Sequence, residues 1–468
     1  MNRFLACIVH RRTTRGSGDD RRNEAQDRRT SRQRPGIGDL AALLCASLML
    51  LGLAGSAQAQ VTIQITGGAE GALPIAVVPF QLEEGAQNPP EDVAGIIRND
   101  LHRTGQFKPL PTEDYIAKPS RFTDVNLQNW RALGADYLVI GGVEAADGGG
   151  YVVRFELVDV YQGRRIAGKR YRVKGPAMRT LAHSISDVIY EKLTGQPGAF
   201  NTQIAYVSVS GQDQHKTFRL VVAQSDAHNP QTVLTSDQPI MSPTWSPDRK
   251  RIAYVSFENR RSEVFVQEVA TGKRQKVAHF KGINSAPAWS PDGSKLAVTL
   301  SKGGNADIYL VDLASGDTRQ LTSNWSIDTE PVWGPDGSTL YFTSDRGGSP
   351  QIYKLTVGSG NPQRVTFDGD YNAAPDISPD GHWLAMVHRD KKGFRIAVQN
   401  LQSDTVRVVT DGPLDESPSF APNGSMLLFA STTGDGHTEL ATVSVFGRAR
   451  MALGVFTHDV REPAWSPL

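Results

Sequence analysis

The chain repeats one phrase six times between residue 243 and its C-terminus. Each copy holds a proline, any residue, a large apolar anchor and then Ser-Pro-Asp-Gly or a variant or truncation of it. A period near 44 residues, built from short strands and tight turns, is typical of β-propeller blades. Large apolar residues in such strands are expected to pack between neighbouring blades. The anchors lie 43 to 45 residues apart, at Trp245, Trp289, Trp333, Ile377, Phe420 and Trp465.

One repeat, residues 285–323, shows the anatomy of a blade. It contains four short strand-like runs separated by polar turns. In the first turn, Pro291 presets φ at the second position, Asp292 bonds to its own backbone and Gly293 closes the turn. Four strands per period predict one blade per repeat.

The two ends of the repeat array are complementary. Gln203–Ser208 nearly copies the second strand Arg251–Ser256, so residues 203–235 supply the last three strands of a blade without a first strand. Glu462–Ser466 is a first strand with nothing after it. Pairing the two would close a ring of six blades and satisfy both open edges. We therefore predict a six-bladed all-β propeller over residues 203–468, closed by the C-terminal strand and the first blade.

Residues 1–59 predict an export signal with a basic extension. An uncharged apolar run of 14 residues, 40–53, is too short to span a bilayer comfortably. It follows an arginine-rich stretch and precedes the small-x-small pattern that ends at Ala59, which is typical of a cleaved secretory signal peptide. Both cysteines, Cys7 and Cys45, lie in the segment that cleavage removes. The mature chain then has no thiol for a disulfide or a thiolate metal site.

The charge of the mature chain restricts its partners. The first 59 residues hold ten Arg and five acidic residues, which leaves 40 basic against 44 acidic side chains and a net charge of −4. This balance argues against nucleic acid or an anionic membrane as the main partner.

Residues 73–195 predict a small α+β domain, joined to the propeller by a linker at 196–202. Strand-like runs alternate with two helical patterns and one longer helix that is expected to end at Gly195. Asn88-Pro-Pro-Glu91 matches a capping box and predicts the start of the first helix. With the propeller, this gives a two-domain chain.

A separate segment, residues 60–72, precedes this domain. Gln60–Thr66 alternates apolar and polar residues, and a glycine-rich stretch follows it. Such a terminal strand either completes the sheet of its own domain or pairs with the sheet edge of a partner. The residues alone leave both alternatives open.

The sequence motifs favour binding over catalysis. The chain has no Gly-x-Ser-x-Gly, His-Glu-x-x-His or phosphate-loop motif. The residues just before each first strand's proline are expected to form the rim of the channel mouth. They are Met241, Ser242, Ser285, Ala286, Thr329, Glu330, Ala373, Ala374, Glu416, Ser417, Arg461 and Glu462.

Two functions compete for this rim. A propeller hydrolase would need a channel cation, for which Glu330, Glu416, Glu462, Asp376 and Asn372 are candidate oxygen ligands. A protein-binding funnel needs only shape and a few anchors. Because the repeats offer the cation ligands unevenly, we favour the funnel and predict a chain that is not an enzyme and needs no cofactor.

The mature chain resembles the TolB family, the periplasmic component of the Tol–Pal system. The propeller phrase alone is shared with peptidase propellers, whereas the first domain, the export signal and the chain end together are specific. The resemblance is carried by Leu73–Phe80, Glu191–Phe200, Met241–Asp248, Thr329–Trp333 and Pro463–Pro467.

The resemblance implies a non-enzymatic adaptor in the periplasm that supports outer-membrane invagination at cell division and outer-membrane integrity. Its propeller would bind Pal, a lipoprotein that grips peptidoglycan, through the rim residues Met241, Ser242, Ser285, Ala286, Thr329, Glu330, Ala373, Glu416, Ser417 and Glu462. Its N-terminal segment would bind the C-terminal domain of TolA through Gln60, Val61, Thr62, Ile63, Gln64, Ile65 and Thr66. We expect a monomer that meets the membrane only through these partners. Some relatives carry a histidine where this chain has Ile283.

Overall fold

The computed structural model describes residues 71–83, 85–147, 149–212, 215–454 and 456–468. They belong to one compact unit. It contains a mixed sheet with α-helices, followed by six four-stranded sheets. No helix in the described ranges is long and apolar enough to cross a membrane. The predicted signal peptide and the strand-like segment Gln60–Thr66 lie outside these residues.

The first sheet has six strands. They are β1 (Leu73–Val77), β2 (Gln81–Leu82), β3 (Phe107–Pro109), β4 (Tyr137–Ala145), β5 (Tyr151–Asp159) and β6 (Arg164–Val173). The order is β3-β1-β4-β5-β6, and β2 also pairs with β4. β1 lies parallel to β3 and β4, whereas β4, β5 and β6 are antiparallel neighbours. This mixed sheet with its helices confirms the predicted α+β architecture.

Three α-helices in the described ranges cover the sheet: α1 (Val93–Arg103), α2 (Leu127–Ala132) and α3 (Met178–Thr194). The predicted capping box at Asn88 is wrong, because the N-cap of α1 is Asp92, whose carboxylate accepts a hydrogen bond from Gly95 N. Pro89 precedes Pro90, and a residue before proline is biased away from the helical region. The helix therefore begins only after the proline pair. As predicted, α3 ends at Gly195, which adopts a left-handed conformation.

Two apolar clusters hold the first sheet. Residues of α1 and α3, including Ile97 and Ile189, are buried in one cluster that continues into the propeller at Met426 and Leu428. Trp130 of α2 is buried in the other cluster with Leu138. The first cluster thus joins the sheet and its helices to the blades through a shared core.

Each blade is a four-stranded antiparallel sheet, as predicted. Blade 1 contains β30 (Asp459–Trp465), β7 (Gln203–Ser210), β8 (Thr217–Gln224) and β9 (Gln231–Ser236). Blade 2 contains β10 (Ile240–Trp245), β11 (Arg251–Ser256), β12 (Glu263–Glu268) and β13 (Arg274–Ala278). Blade 3 contains β14 (Asn284–Trp289), β15 (Lys295–Leu300), β16 (Asp307–Asp312) and β17 (Thr318–Gln320).

The remaining three blades follow in chain order. Blade 4 contains β18 (Asp328–Trp333), β19 (Thr339–Ser344), β20 (Gln351–Thr356) and β21 (Gln363–Arg364). Blade 5 contains β22 (Asn372–Ile377), β23 (Trp383–Asp390), β24 (Gly393–Asn400) and β25 (Val406–Val408). Blade 6 contains β26 (Asp415–Phe420), β27 (Met426–Thr432), β28 (Thr438–Ser444) and β29 (Arg450–Ala452).

The ring closes through the C-terminal strand. β30 pairs antiparallel with β7, which is the pairing that the sequence predicted. The first strands of the blades contact one another in a cycle, with β30 touching both β26 and β10. Trp465 strengthens the closure: its backbone N donates to Ser419 Oγ at 2.9 Å and its indole Nε1 donates to Thr202 Oγ1 at 2.8 Å. The innermost strand of blade 1 is therefore tied to its own blade and to blade 6.

The tryptophan anchors join neighbouring blades. Trp289 of blade 3 is buried in one cluster with Val255 and Val266 of blade 2. Its indole Nε1 donates to the carbonyl of Thr244 at 3.2 Å, and Trp333 makes the same bond to the carbonyl of Ala288. These contacts confirm that the repeated anchors pack between blades.

The first sheet and its helices meet the propeller at one end of the blades. Arg103 donates to the carbonyl and the hydroxyl of Ser225, in the turn between β8 and β9, at 2.9 and 2.8 Å. Asn423, in the turn between β26 and β27, donates to the carbonyl of Pro197 at 2.9 Å. Both turns lie at the far end of the strands from the point where the first strands begin. The predicted rim therefore faces away from the first sheet.

A buried histidine lies in this joint. His183 of α3 is 1% exposed, with Nδ1 2.8 Å from Asp100 Oδ2 of α1 and Nε2 3.3 Å from Asp226 Oδ2 of the propeller. Burial alone would lower the pKa of His183, but the two carboxylates outweigh it and raise the pKa to about 9. Burial opposes ionisation of Asp226, yet His183, Arg179 and Arg103 together hold its pKa below the usual range. A charged network thus links both parts of the molecule.

Candidate partner-binding rim

Each first strand is interrupted near its start by a bulge. In blade 2 the pairing of β10 with β11 shifts register between Met241 and Thr244, and the equivalent shift occurs in the other five blades. At this point the residue before the repeated proline adopts a left-handed conformation, with φ between +48° and +56°. The six residues are Ser242, Ala286, Glu330, Ala374, Ser417 and Glu462.

This backbone geometry is costly and repeated. A residue before proline normally prefers extended conformations, and a left-handed residue other than glycine costs about 1 kcal/mol or more. Such strain persists only where the surrounding structure enforces it, and bulges of this kind re-aim side chains at functional edges. Its recurrence in all six blades indicates that the propeller fold enforces this conformation at the rim.

The structure brings the predicted rim residues together at the start of adjacent first strands. Two of the ten Pal-binding candidates are nearly inaccessible: Ala373 is 2% exposed and Glu462 is 8% exposed. The other eight are half-buried: Met241, Ser242, Ser285, Ala286, Thr329, Glu330, Glu416 and Ser417.

Two rim carboxylates connect neighbouring blades. Glu330 Oε2 accepts hydrogen bonds from Ala374 N at 2.9 Å and from Thr343 Oγ1 at 2.8 Å. Glu462 Oε2 accepts from the backbone N of Ser242 in the next blade. These glutamates therefore hold the shape of the mouth in addition to lining it.

The acidic groups at the mouth are hard to ionise. Burial raises the pKa of Glu330 and of Glu462, and the charge of Glu416 adds to both shifts. Burial likewise raises the pKa of Asp376 to about 7, although the backbone N–H of Phe420 at 2.6 Å opposes the shift. Burial therefore disfavours the charged form of all three carboxyl groups.

The candidate cation ligands do not converge. Glu330, Glu462 and Asp376 each accept a backbone N–H from the following blade. Asn372 is buried and bonds to Gln351 Oε1, the carbonyl of residue 368 and His388. Among the described residues, no group of three His, Cys, Asp or Glu side chains is placed to hold a metal ion.

An apolar collar borders the polar mouth on blades 3 to 6, and it was not predicted from the sequence. Its members precede four of the first strands directly and are half-buried. The sequence feature that could have revealed the collar is an apolar residue two positions before the rim pair in each of blades 3 to 6. The collar consists of Ile283, Ile327, Tyr371 and Leu414.

Comparison with known proteins places this architecture in one family. A model of the TolB amino-terminal domain matches residues 61–166, and a model of the TolB beta propeller domain matches residues 190–468. The Tol-Pal system protein TolB of Nitrosococcus oceani is 63% identical over 425 residues, which cover 91% of this chain and 97% of that protein. The chain belongs to the TolB family.

Further members support the assignment. The TolB protein of Thioalkalivibrio sulfidiphilus is 60% identical over 91% of this chain and 97% of its own length. The crystal structure of TolB from Acinetobacter baumannii matches with a TM-score of 0.78 at 38% identity, covering 87% of this chain and 100% of that one. The resemblance stated from the sequence is therefore confirmed. TolB is a non-enzymatic component of the Tol–Pal system, and the TolB proteins of that system are periplasmic.

Proposed function

We propose that this TolB is a monomeric adaptor that binds Pal through the rim of its propeller and the C-terminal domain of TolA through Gln60–Thr66. It is exported to the periplasm by residues 1–59, which are cleaved as a signal peptide. In this role it supports outer-membrane invagination during cell division and outer-membrane integrity. It uses no cofactor, binds no nucleic acid and reaches the membrane only through its partners.

The observation that carries the proposal is the six-fold bulge at the rim. It places hydroxyl and carboxyl side chains on the face that points away from the first sheet, and burial raises the pKa of the Glu330 and Glu462 carboxyls there. The collar adds apolar contact around them. An apolar zone with a few directed polar groups is the composition that protein interfaces favour.

Substituting a rim residue tests Pal binding. Ser285→Arg places a long cation at the half-buried mouth. We expect it to weaken the binding of Pal's soluble domain at least tenfold in a calorimetric titration, because the arginine would occupy the funnel. Ser338→Arg, in an exposed turn at the opposite end of blade 4, is the matched control. Equal affinity for Pal in both variants and the wild type would contradict the proposal.

Deleting Gln60–Gly71 tests the TolA segment separately. We expect the mature chain without this segment to lose measurable affinity for the C-terminal domain of TolA, since an added strand supplies its affinity through main-chain hydrogen bonds. Pal binding should remain measurable in the same preparation. Unchanged TolA affinity after the deletion would show that the segment does not bind TolA.

A further inference from the structure

Two large aromatic side chains are unusually exposed on the loops that enter blades 4 and 5. Trp325 lies between β17 and β18 and is 64% exposed, and Phe367 lies between β21 and β22 and is 63% exposed. Both loops lead directly into rim strands, since Trp325 precedes Thr329 by four residues and Phe367 precedes Ala373 by six. The aromatic pair therefore flanks blade 4 on the face that carries the rim.

The loop around Trp325 is held in place by side chains. Asn305 Nδ2 donates to the carbonyls on both sides of the tryptophan, those of residues 324 (at 2.9 Å) and 326. Asp345 Oδ1 accepts from Ile327 N at 2.8 Å. The backbone is thus fixed while the indole stays in solvent, so its ordering cost on binding is small.

The loop around Phe367 is held in the same way. Arg364 Nε donates to the carbonyl of Thr366 at 2.6 Å, and Asn372 Nδ2 donates to the carbonyl of residue 368 at 2.7 Å. The Arg364 guanidinium also lies over the Phe367 ring, 5.1 Å from its centroid. Both exposed rings are therefore carried by braced loops.

The corresponding loop before blade 3 differs. Its aromatic residue, Phe280, is half-buried, and Lys302 Nζ lies 4.1 Å from the centroid of its ring. A covered ring is the ordinary outcome for a surface phenylalanine, because exposed apolar area is costly in water. Trp325 and Phe367, on the loops that enter two adjacent blades, are exposed instead.

We propose that Trp325 and Phe367 are apolar anchors for the protein domain that occupies the rim, which is Pal under the proposed function on which this inference rests. Exposed aromatic side chains on braced loops that lead into a polar rim have the character of interface hot spots. Because both rings lie on one side of the mouth, the bound domain would extend outward over blade 4. That domain would present apolar side chains to the two rings and polar groups to the rim.

The test is a titration of purified Pal's soluble domain into the mature chain and its variants. We expect Trp325→Ala and Phe367→Ala each to raise the Kd about tenfold, with Trp325→Phe keeping most of the affinity. Tyr161→Ala is the matched control, because Tyr161 is 60% exposed on the first sheet's β5–β6 turn. Thermal melts should show all variants folded, since exposed side chains contribute little to stability.

Four outcomes are separable. A loss of affinity in both alanine variants, with Tyr161→Ala unchanged, supports the anchors. Wild-type binding with both alanine variants within twofold overturns the anchors and leaves the proposed function standing. No binding of Pal by the folded wild-type chain overturns both. Altered self-association of the alanine variants with unchanged Pal affinity would assign the pair to a second copy and overturn the inference.

Discussion

A chain that lacks Asp459–Leu468 is expected to lose the cooperative unfolding transition of the propeller. The deletion removes β30, the first strand of blade 1, and exposes the whole paired edge of β7. It also removes the buried side chains of Val460 and Trp465 and the hydrogen bonds that Trp465 makes to Thr202 and Ser419. Truncating one buried tryptophan costs about 3–5 kcal/mol. With the lost strand pairing, the total approaches the whole stability of a typical domain, about 5–15 kcal/mol.

Calorimetry and circular dichroism during heating would measure this effect. A matched truncation that removes only Pro467 and Leu468 should melt close to the full-length chain, because Leu468 is exposed and lies beyond β30. A sharp transition near the full-length melting temperature in the longer deletion would contradict closure by β30.

His183→Ala is expected to lower the free energy of unfolding by about 3 kcal/mol, because removing one partner of a buried ionic network leaves charges uncompensated. The residue is 1% exposed and lies between Asp100 and Asp226. His228→Ala is the matched control: its ring is half exposed and 3.6 Å from Glu91, so the expected loss is below about 1 kcal/mol. Urea unfolding at pH 6 measures both. Equal losses in the two variants would contradict the assignment.

The same histidine predicts a pH dependence. The folded pKa of His183 is about 9, above the value of about 6.5 for an unfolded histidine. Its stabilisation is therefore fully present below about pH 6.5 and is lost as pH rises through about 9. The charged side chains around His183 are Asp100 and Asp226, and these pair in turn with Arg103 and Arg179.

Unfolding free energies of the wild type and of His183→Ala, measured from pH 6 to pH 10, would test this. Their difference should shrink as the pH rises. A difference that stays constant over that range would show that His183 does not titrate in the folded chain.

The architecture was predictable because the residues of each turn determine its conformation locally. Pro291, Asp292 and Gly293 define one turn through local preferences, and the same phrase at fixed spacing counts the blades. The start of α1 was predicted wrongly because two candidate caps, Asn88 and Asp92, stand four residues apart. The backbone preference imposed by the proline pair decides which of the two caps the helix. The capping-box pattern takes no account of that preference.

The backbone conformation of the rim could not be predicted from the sequence, for a different reason. Local preference opposes a left-handed residue before proline, so nothing near Glu330 or Ala374 signals it. The conformation coincides with the register shift between the first and second strands of each blade. The joint at His183 was also hidden, because its partners Asp100 and Asp226 lie 83 and 43 residues away in the chain. Only tertiary packing brings those charges together.

Hydrogen exchange of the mature chain with and without Pal tests most directly whether the rim face is the binding face. We expect slower exchange in the loops and strand starts of blades 3 to 5, within residues 280–286, 323–330 and 367–374. The turns at 290–294 and 334–338, at the opposite end of the same strands, should exchange as in the free chain. Protection confined to those turns, or absent from the rim at saturating Pal, would contradict the binding of Pal to the rim face.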